Sequence, residues 1–164
     1  MRPLTEAEIR ASFVNAPAET IQRMPLPGLH ETVWEEREYL GWRDPTLAQR
    51  GYLVYWREGE PFGIILRSAS TTMSRGISAM CSLCRTHQPG SQVSLFTVPK
   101  AGQAGRDGNT IGTYICSDLA CSTIIRIVPP PSDLQPQPTD VVEQRRSGLL
   151  ARLDNFTREL LPAN

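Results

Sequence analysis

The chain has 164 residues with 17 basic and 17 acidic side chains, so its formal net charge is zero and it is no general polyanion binder. Hydrophobic content of 40% suits one globular domain, or one domain with an appendage, and no run approaches the roughly 18 apolar residues that cross a bilayer. Residues 1–6 lack an apolar signal region, so the expectation is a cytoplasmic protein whose thiols stay reduced and whose paired cysteines mean metal or redox chemistry.

Residues 1–50 read as a helical lead-in that packs on the core. Thr5-Glu6-Ala7-Glu8 is a capping box, and Ile9, Phe13 and Val14 supply a short apolar face behind it. Pro17, Pro25 and Pro27 keep the helices that follow short. A further helix is expected from Leu29 to Tyr39 with Val33, Trp34 and Leu40 inward. Asp44-Pro45 reads as an N-cap and first helical residue that start a turn or two through Leu47 and Arg50.

The period then changes. Tyr52 to Trp56 and Phe62 to Leu66 are aromatic and β-branched, and the turn-like segment Arg57–Pro61 between them predicts a β-hairpin. The first cysteine pair, Cys81-Ser82-Leu83-Cys84, precedes a strand at Val93–Val98. A glycine-rich loop follows from Pro99 to Asn109, and a second strand from Thr110 to Ile115 runs straight into Cys116. Beyond the second pair, Cys116 and Cys121, apolar residues from Leu119 to Val128 recur with helical period, with Asp118 as the expected N-cap. Proline-rich residues 129–139 read as a semi-rigid linker. Val142, Leu149, Leu153, Phe156 and Leu160 give residues 140–161 one apolar stripe, the mark of an amphipathic helix that packs on its own core or, alternatively, on a second chain.

The chain has four cysteines, in the pattern C-x2-C and C-x4-C with 31 residues between the pairs. This is the spacing of a closed structural Zn2+ site, in which each pair fills two corners of a tetrahedron. Cys81 and Cys84 fit a tight knuckle. Cys116 closes a strand and Cys121 falls in the first turn of a helix, where the helix dipole favours a thiolate. Knuckle, hairpin and ligand-bearing helix over residues 51–128 describe a treble-clef finger within an α+β fold of antiparallel hairpins. A thioredoxin-like reading leaves the second pair unused, haem attachment fails because Arg85 stands where histidine is required, and four cysteines leave a catalytic zinc no open position. His87 is a lesser candidate ligand, and His30 sits in an acidic stretch with no site around it.

Other chemistry is weakly signalled. The segment Ala101–Asn109 has glycines but neither the lysine nor the following helix of a phosphate loop, so no small-molecule substrate or catalytic residue is expected. Between Ser70 and Val128 five basic residues face two acidic ones, a balance of +3 that a zinc tetrathiolate lowers to about +1. That supplies few phosphate contacts, and a ribosome- or RNA-binding module is the second reading.

Residues 39–126 resemble the C-terminal treble-clef domain of the elongation-factor-G-binding proteins, a family also carrying a fibronectin-binding-protein name. The resemblance rests on Leu40-Gly41-Trp42-Arg43-Asp44-Pro45, the hairpin ending Gly63-Ile64-Ile65-Leu66-Arg67, Met80-Cys81-Ser82-Leu83-Cys84, and above all the run from Gly105 through Tyr114-Ile115-Cys116 to Cys121-Ser122. It implies a non-enzymatic zinc adaptor that docks on the translational GTPase elongation factor G and so modulates translation. It matches Cys81, Cys84, Cys116 and Cys121 to the zinc ligands, and Tyr114, Phe96 and Arg106 are the candidate partner contacts. The resistance members of that family carry a substantial N-terminal helical bundle where this sequence has 38 proline-broken residues, so the resemblance implies a housekeeping translation-factor binder.

Overall fold

The computed structural model describes residues 1–128, 130, 132 and 137–161. Helix α1 (Glu6–Ala11) starts at the expected capping box: the Thr5 hydroxyl accepts the Glu8 N–H while the Glu8 carboxylate accepts the Thr5 N–H. Helix α2 (Ala18–Gln22) is one turn long. The helix expected over Leu29–Tyr39 is instead two 3-10 turns, Leu29–Glu31 and Trp34–Glu36, separated by extended backbone at Thr32. The Thr32 hydroxyl bonds back to the Gly28 carbonyl, Val33 points to solvent, and Leu40 belongs to a strand.

That strand, β1 (Leu40–Arg43), pairs antiparallel with β2 (Arg50–Arg57). No helical turn follows Asp44. Its carboxylate accepts the amides of Thr46 and Leu47, and the chain turns directly into β2. β2 forms the expected hairpin with β3 (Glu60–Ser68) across Glu58 and Gly59, both at positive φ, the backbone of a type I′ turn. Short strands β4 (Ser78–Met80) and β5 (His87–Pro89) then form a separate ribbon. β6 (Val93–Pro99) leads to one-turn helix α3 (Gly102–Arg106), where a loop was expected, and returns as β7 (Thr110–Cys116). The helix expected after Leu119 shrinks to α4 (Cys121–Ile124) and a tight turn beyond it, consistent with the β-branched run Thr123-Ile124-Ile125. Ala120 occupies its N-cap position, and Asp118 accepts the Ala120 amide in the turn before it. The proline-rich linker falls largely outside the described residues. Helix α5 (Pro138–Arg158) carries proline in its first turn.

The main sheet runs β1-β2-β3-β6-β7, antiparallel throughout. Both of its faces are covered, so β2 reads as an almost continuous apolar run. Tyr52 and Val54 pack with Leu4, Ile9, Phe13 and Trp42 of the N-terminal segment and β1. Leu53 and Tyr55 face the other way, into a core shared with Phe96, the four cysteines and Leu149, Leu153 and Leu160 at the C-terminus. The stripe read from the sequence thus packs α5 on its own chain. The Tyr55 hydroxyl lies 2.6 Å from the Thr157 hydroxyl, and the Leu160 carbonyl accepts the Ala101 N–H. Gly41 sits where β1 passes Tyr39 and the second cysteine loop; a Cβ there would stand 2.7 Å from the Leu119 carbonyl oxygen.

Candidate metal centre

Two turns and one strand end bring the cysteines together. In the knuckle, the Arg85 N–H bonds to the Cys81 carbonyl at 2.9 Å and Arg85 adopts positive φ, which turns Cys81 and Cys84 toward one point. The ribbon β4–β5 flanks it, with Met80 paired to His87 and the Cys81 N–H bonded to the Thr86 carbonyl. The second loop leaves β7 at Cys116. The Leu119 amide returns to the Cys116 carbonyl, Leu119 takes positive φ, and α4 begins at Cys121. The loops are locked by a 2.8 Å bond from the Ser82 amide to the Tyr114 carbonyl.

All four sulfur atoms are buried and lie within 4.8 Å of one another. Cys81 and Cys121 are 3.6 Å apart, as are Cys84 and Cys116. A tetrahedron with Zn–S bonds of about 2.3 Å has sulfur–sulfur edges of about 3.8 Å, so the arrangement fits this ion without rebuilding the chain. Donors already point at the sulfurs: the Cys84 amide at 3.4 Å from Cys81 Sγ and Gln88 Nε2 at 3.2 Å from Cys116 Sγ. Such contacts spread thiolate charge and fix ligand orientation.

The electrostatics favour a cation at the centre. Hydrogen bonds from Cys116 and Cys121 pull the Cys81 and Cys84 thiols below their ordinary pKa, favouring ionisation. At Cys116 the contact with Cys121 assists ionisation, but hydrogen bonding to Cys81 and Cys84, with burial, outweighs it and pushes the thiol up. Cys121 is pushed up by Cys116, Cys81 and Cys84. Four adjacent thiolates repel, and a divalent ion is what allows all four to ionise. Burial, then the neighbouring Cys121, also pushes the Tyr39 hydroxyl well up, and that hydroxyl accepts the Cys121 amide. Neither the Tyr39 bond to the Cys121 amide nor the Gln88 contact with Cys116 Sγ is marked in the sequence, because each spans many positions and is made by the tertiary fold.

His87 is exposed on β5 and outside the cluster, and His30 is exposed beside Glu31. Of the three candidate contact residues, Tyr114 is 45% exposed on the outward side of β7, opposite Leu95, and Arg106 is exposed at the end of α3. Phe96 corrects the expectation: it is fully buried, because alternation along β6 turns Phe96 and Val98 to the core while Leu95 faces outward with Tyr114. It has no surface to offer a partner.

Comparison with known proteins agrees with this geometry. The family model described as FBP C-terminal treble-clef zinc-finger matches residues 8–160, a wider span than the segments that carry the resemblance in sequence. No curated protein matches the chain. One solved structure that resembles it is that of the fusidic acid resistance protein FusC, at 22% identity and a TM-score of 0.49 over 63% of this chain and 46% of that one. The chain therefore spans about half the length of that protein. The buried tetracysteine cluster and the family match together establish a zinc-binding treble clef.

Proposed function

The chain belongs to the FBP C-terminal treble-clef zinc-finger family, and from that membership we propose that it is a non-enzymatic adaptor that docks on elongation factor G and modulates translation. The observation that carries the reading is the closed metal centre. Four buried cysteines meet at one point, and the cluster includes no other histidine, aspartate or glutamate among the described residues. With Cys81, Cys84, Cys116 and Cys121 all serving as ligands, the ion has no open position for water or substrate, and its role is to hold knuckle, β7 and α4 in register. Tyr114 and Arg106, on the hairpin that leads into the site, are the contact residues of this reading. An aromatic ring and a guanidinium are the side chains that most often anchor an interface. Among the described residues no helix is long and apolar enough to cross a membrane, which is compatible with a cytoplasmic partner.

The test is calorimetric titration of zinc-loaded protein into purified elongation factor G, with zinc-stripped protein and Tyr114→Ala in parallel. Saturable binding by the loaded protein, lost on stripping and weakened on the order of tenfold by Tyr114→Ala, is the expected result. No heat and no co-elution with the loaded protein would remove the reading.

A further inference from the structure

A groove of about 470 Å³ opens on the metal centre between the knuckle and α5, lined by Arg85 and His87 on one side, Arg145 and Arg152 on the other, and Ile127 at its end. Its polar character is one-sided. Among the described residues none of the three guanidiniums lies within ion-pair distance of a carboxylate, whereas Arg126 and Arg146 nearby are both paired to Glu38. Arg152 is partly covered and close enough to Arg85 to be repelled by it, while charge on Cys84, Cys81 and Cys121 attracts it from the metal side. The fold holds two of these side chains in place. Arg152 Nε donates to the Leu83 carbonyl of the knuckle at 2.6 Å, and Arg145 Nη1 donates to the carbonyls of Ile125 and Ile127. Each therefore keeps further N–H donors for a ligand. Ile127 is 68% exposed, the most exposed large apolar side chain of the described residues.

We infer that this groove receives an acidic segment of a protein partner, its carboxylates on Arg85, Arg145 and Arg152 and an apolar side chain on Ile127. Three arginines exceed the double negative charge of a zinc tetrathiolate and have no carboxylate partner among the described residues, so they match carboxylates, and an exposed isoleucine beside them suits an apolar residue of the same peptide. RNA fits less well: its affinity scales with phosphates neutralised, and the groove offers only three guanidiniums and, in His87, a single imidazole on which a base could stack. The inference rests on the adaptor reading and names a contact for it beside the zinc knuckle. Arg145 and Arg152 brace the backbone, so the informative substitutions are Arg85→Glu and Ile127→Asp, at exposed positions whose side chains make no hydrogen bond among the described residues.

The test measures anisotropy of a fluorescein-labelled peptide of alternating glutamate, aspartate and leucine with the zinc-loaded full chain, and binding of purified elongation factor G to the same proteins. The expected result is saturable peptide binding that each variant weakens by about tenfold or more, with Ile127→Asp keeping wild-type zinc content and Tm so that it carries the test if Arg85→Glu disturbs the knuckle, and with Arg23→Glu at the end of α2 as an unaffected control. No peptide binding, variants within about twofold of wild type, or displacement of the peptide by oligouridylate at lower concentration than by unlabelled peptide would each overturn it. The second arm separates the two readings. Elongation factor G binding equally to wild type and both variants sinks the groove and leaves the adaptor. Peptide capture through the groove by a protein that ignores elongation factor G sinks that partner and leaves the groove.

Discussion

The two faces of the sheet are held by different physics. On one, Tyr52 and Val54 of β2 meet Leu4, Ile9, Phe13 and Trp42, with Tyr52 stacked on Trp42 at 5.0 Å and edge-on to Phe13 at 6.2 Å. That face is secured by apolar burial and by hydrogen bonds that tie the N-terminal segment to the sheet, among them Trp42 Nε1 to the Pro25 carbonyl and Trp56 Nε1 to the Arg2 carbonyl. On the other, the neighbours of Leu53 and Tyr55 include four cysteines. Four uncompensated thiols at a core's centre supply little cohesion, and the loops around them contain two residues at positive φ, Arg85 and Leu119, that the metal must repay. The first face folds because of what it excludes, the second because of what it binds.

The largest effect should follow from taking the metal away. Zinc binding in small fingers is worth on the order of 10 kcal/mol, so chelation, or Cys121→Ser, should strip exchange protection from residues 78–92 and 110–127. Amides of α1 and of the β1–β2 ladder should lose far less. Hydrogen exchange read by mass spectrometry checks this, and uniform loss over both regions would abolish the distinction between the faces.

That contrast was unevenly legible in the sequence. The cysteine spacing disclosed the metal centre, and alternation plus a turn at Glu58-Gly59 disclosed β2–β3, because both are local patterns. Strand β1 was hidden inside a segment read as helical: with Gly41 and Trp42 in four residues, its extended form is dictated by its ladder to β2 and not by propensity. The ribbon β4–β5 is three residues a side and exists to carry the knuckle, so no periodicity could announce it. Phe96 was misjudged because strand alternation shows that two faces differ without saying which is inward. The Tyr39 bond to the Cys121 amide, across 82 positions, and the Gln88 contact with Cys116 Sγ, across 28, were invisible for a different reason, since the tertiary fold makes both.

Glu38 joins the two regions and should give the next largest effect. Its side chain is fully buried just before β1, bonded by Arg126 at 2.8 and 2.9 Å and approached by Arg146 of α5 at 3.3 Å, while its amide donates to Ser122 of α4. Glu38→Gln leaves a largely covered Arg126 without its counter-charge. Removing one partner of a buried pair costs roughly 3–5 kcal/mol, and the partial exposure of both arginines places the expected loss near about 3 kcal/mol. Urea unfolding of zinc-loaded protein measures it; a change under about 1 kcal/mol would mean the two faces are mechanically independent there.

A smaller and pH-dependent effect belongs to Asp44, at the end of β1. Burial opposes its ionisation, but the Tyr52 hydroxyl at 2.6 Å and the amides of Leu47 and Thr46 outweigh burial and hold the carboxyl at about 2. The folded value lies below the unfolded one, so this stabilisation is complete above about pH 4 and is lost as pH falls from about 4 toward 2. Its size is about 2 kcal/mol. Acid also protonates the thiolates and releases metal, but equally in wild type and Asp44→Asn, so the difference between their unfolding curves isolates the carboxylate. That difference should hold above about pH 4 and shrink steadily from there to about pH 2. A constant offset would assign the hydrogen bonds of Asp44 no role in ionisation.

The smallest effect tests the apolar face where zinc has no reach. In the capping box the Thr5 hydroxyl accepts the Glu8 N–H at 3.2 Å, and Glu8 receives both the Thr5 amide and the Thr5 hydroxyl. Those bonds hold the Glu8 carboxyl below its ordinary range, the Thr5 amide foremost. Thr5→Ala removes the hydroxyl and should lower stability by about 1 kcal/mol. The informative comparison is the same substitution with and without metal. α1 presents Ile9 to Tyr52 and its neighbours, and no residue of that cluster is a cysteine. The penalty should therefore show as faster exchange in residues 6–13 to the same degree in both forms. If zinc removal doubles or erases it, the sheet transmits strain between its faces, and the division drawn here gives way to a single cooperative core.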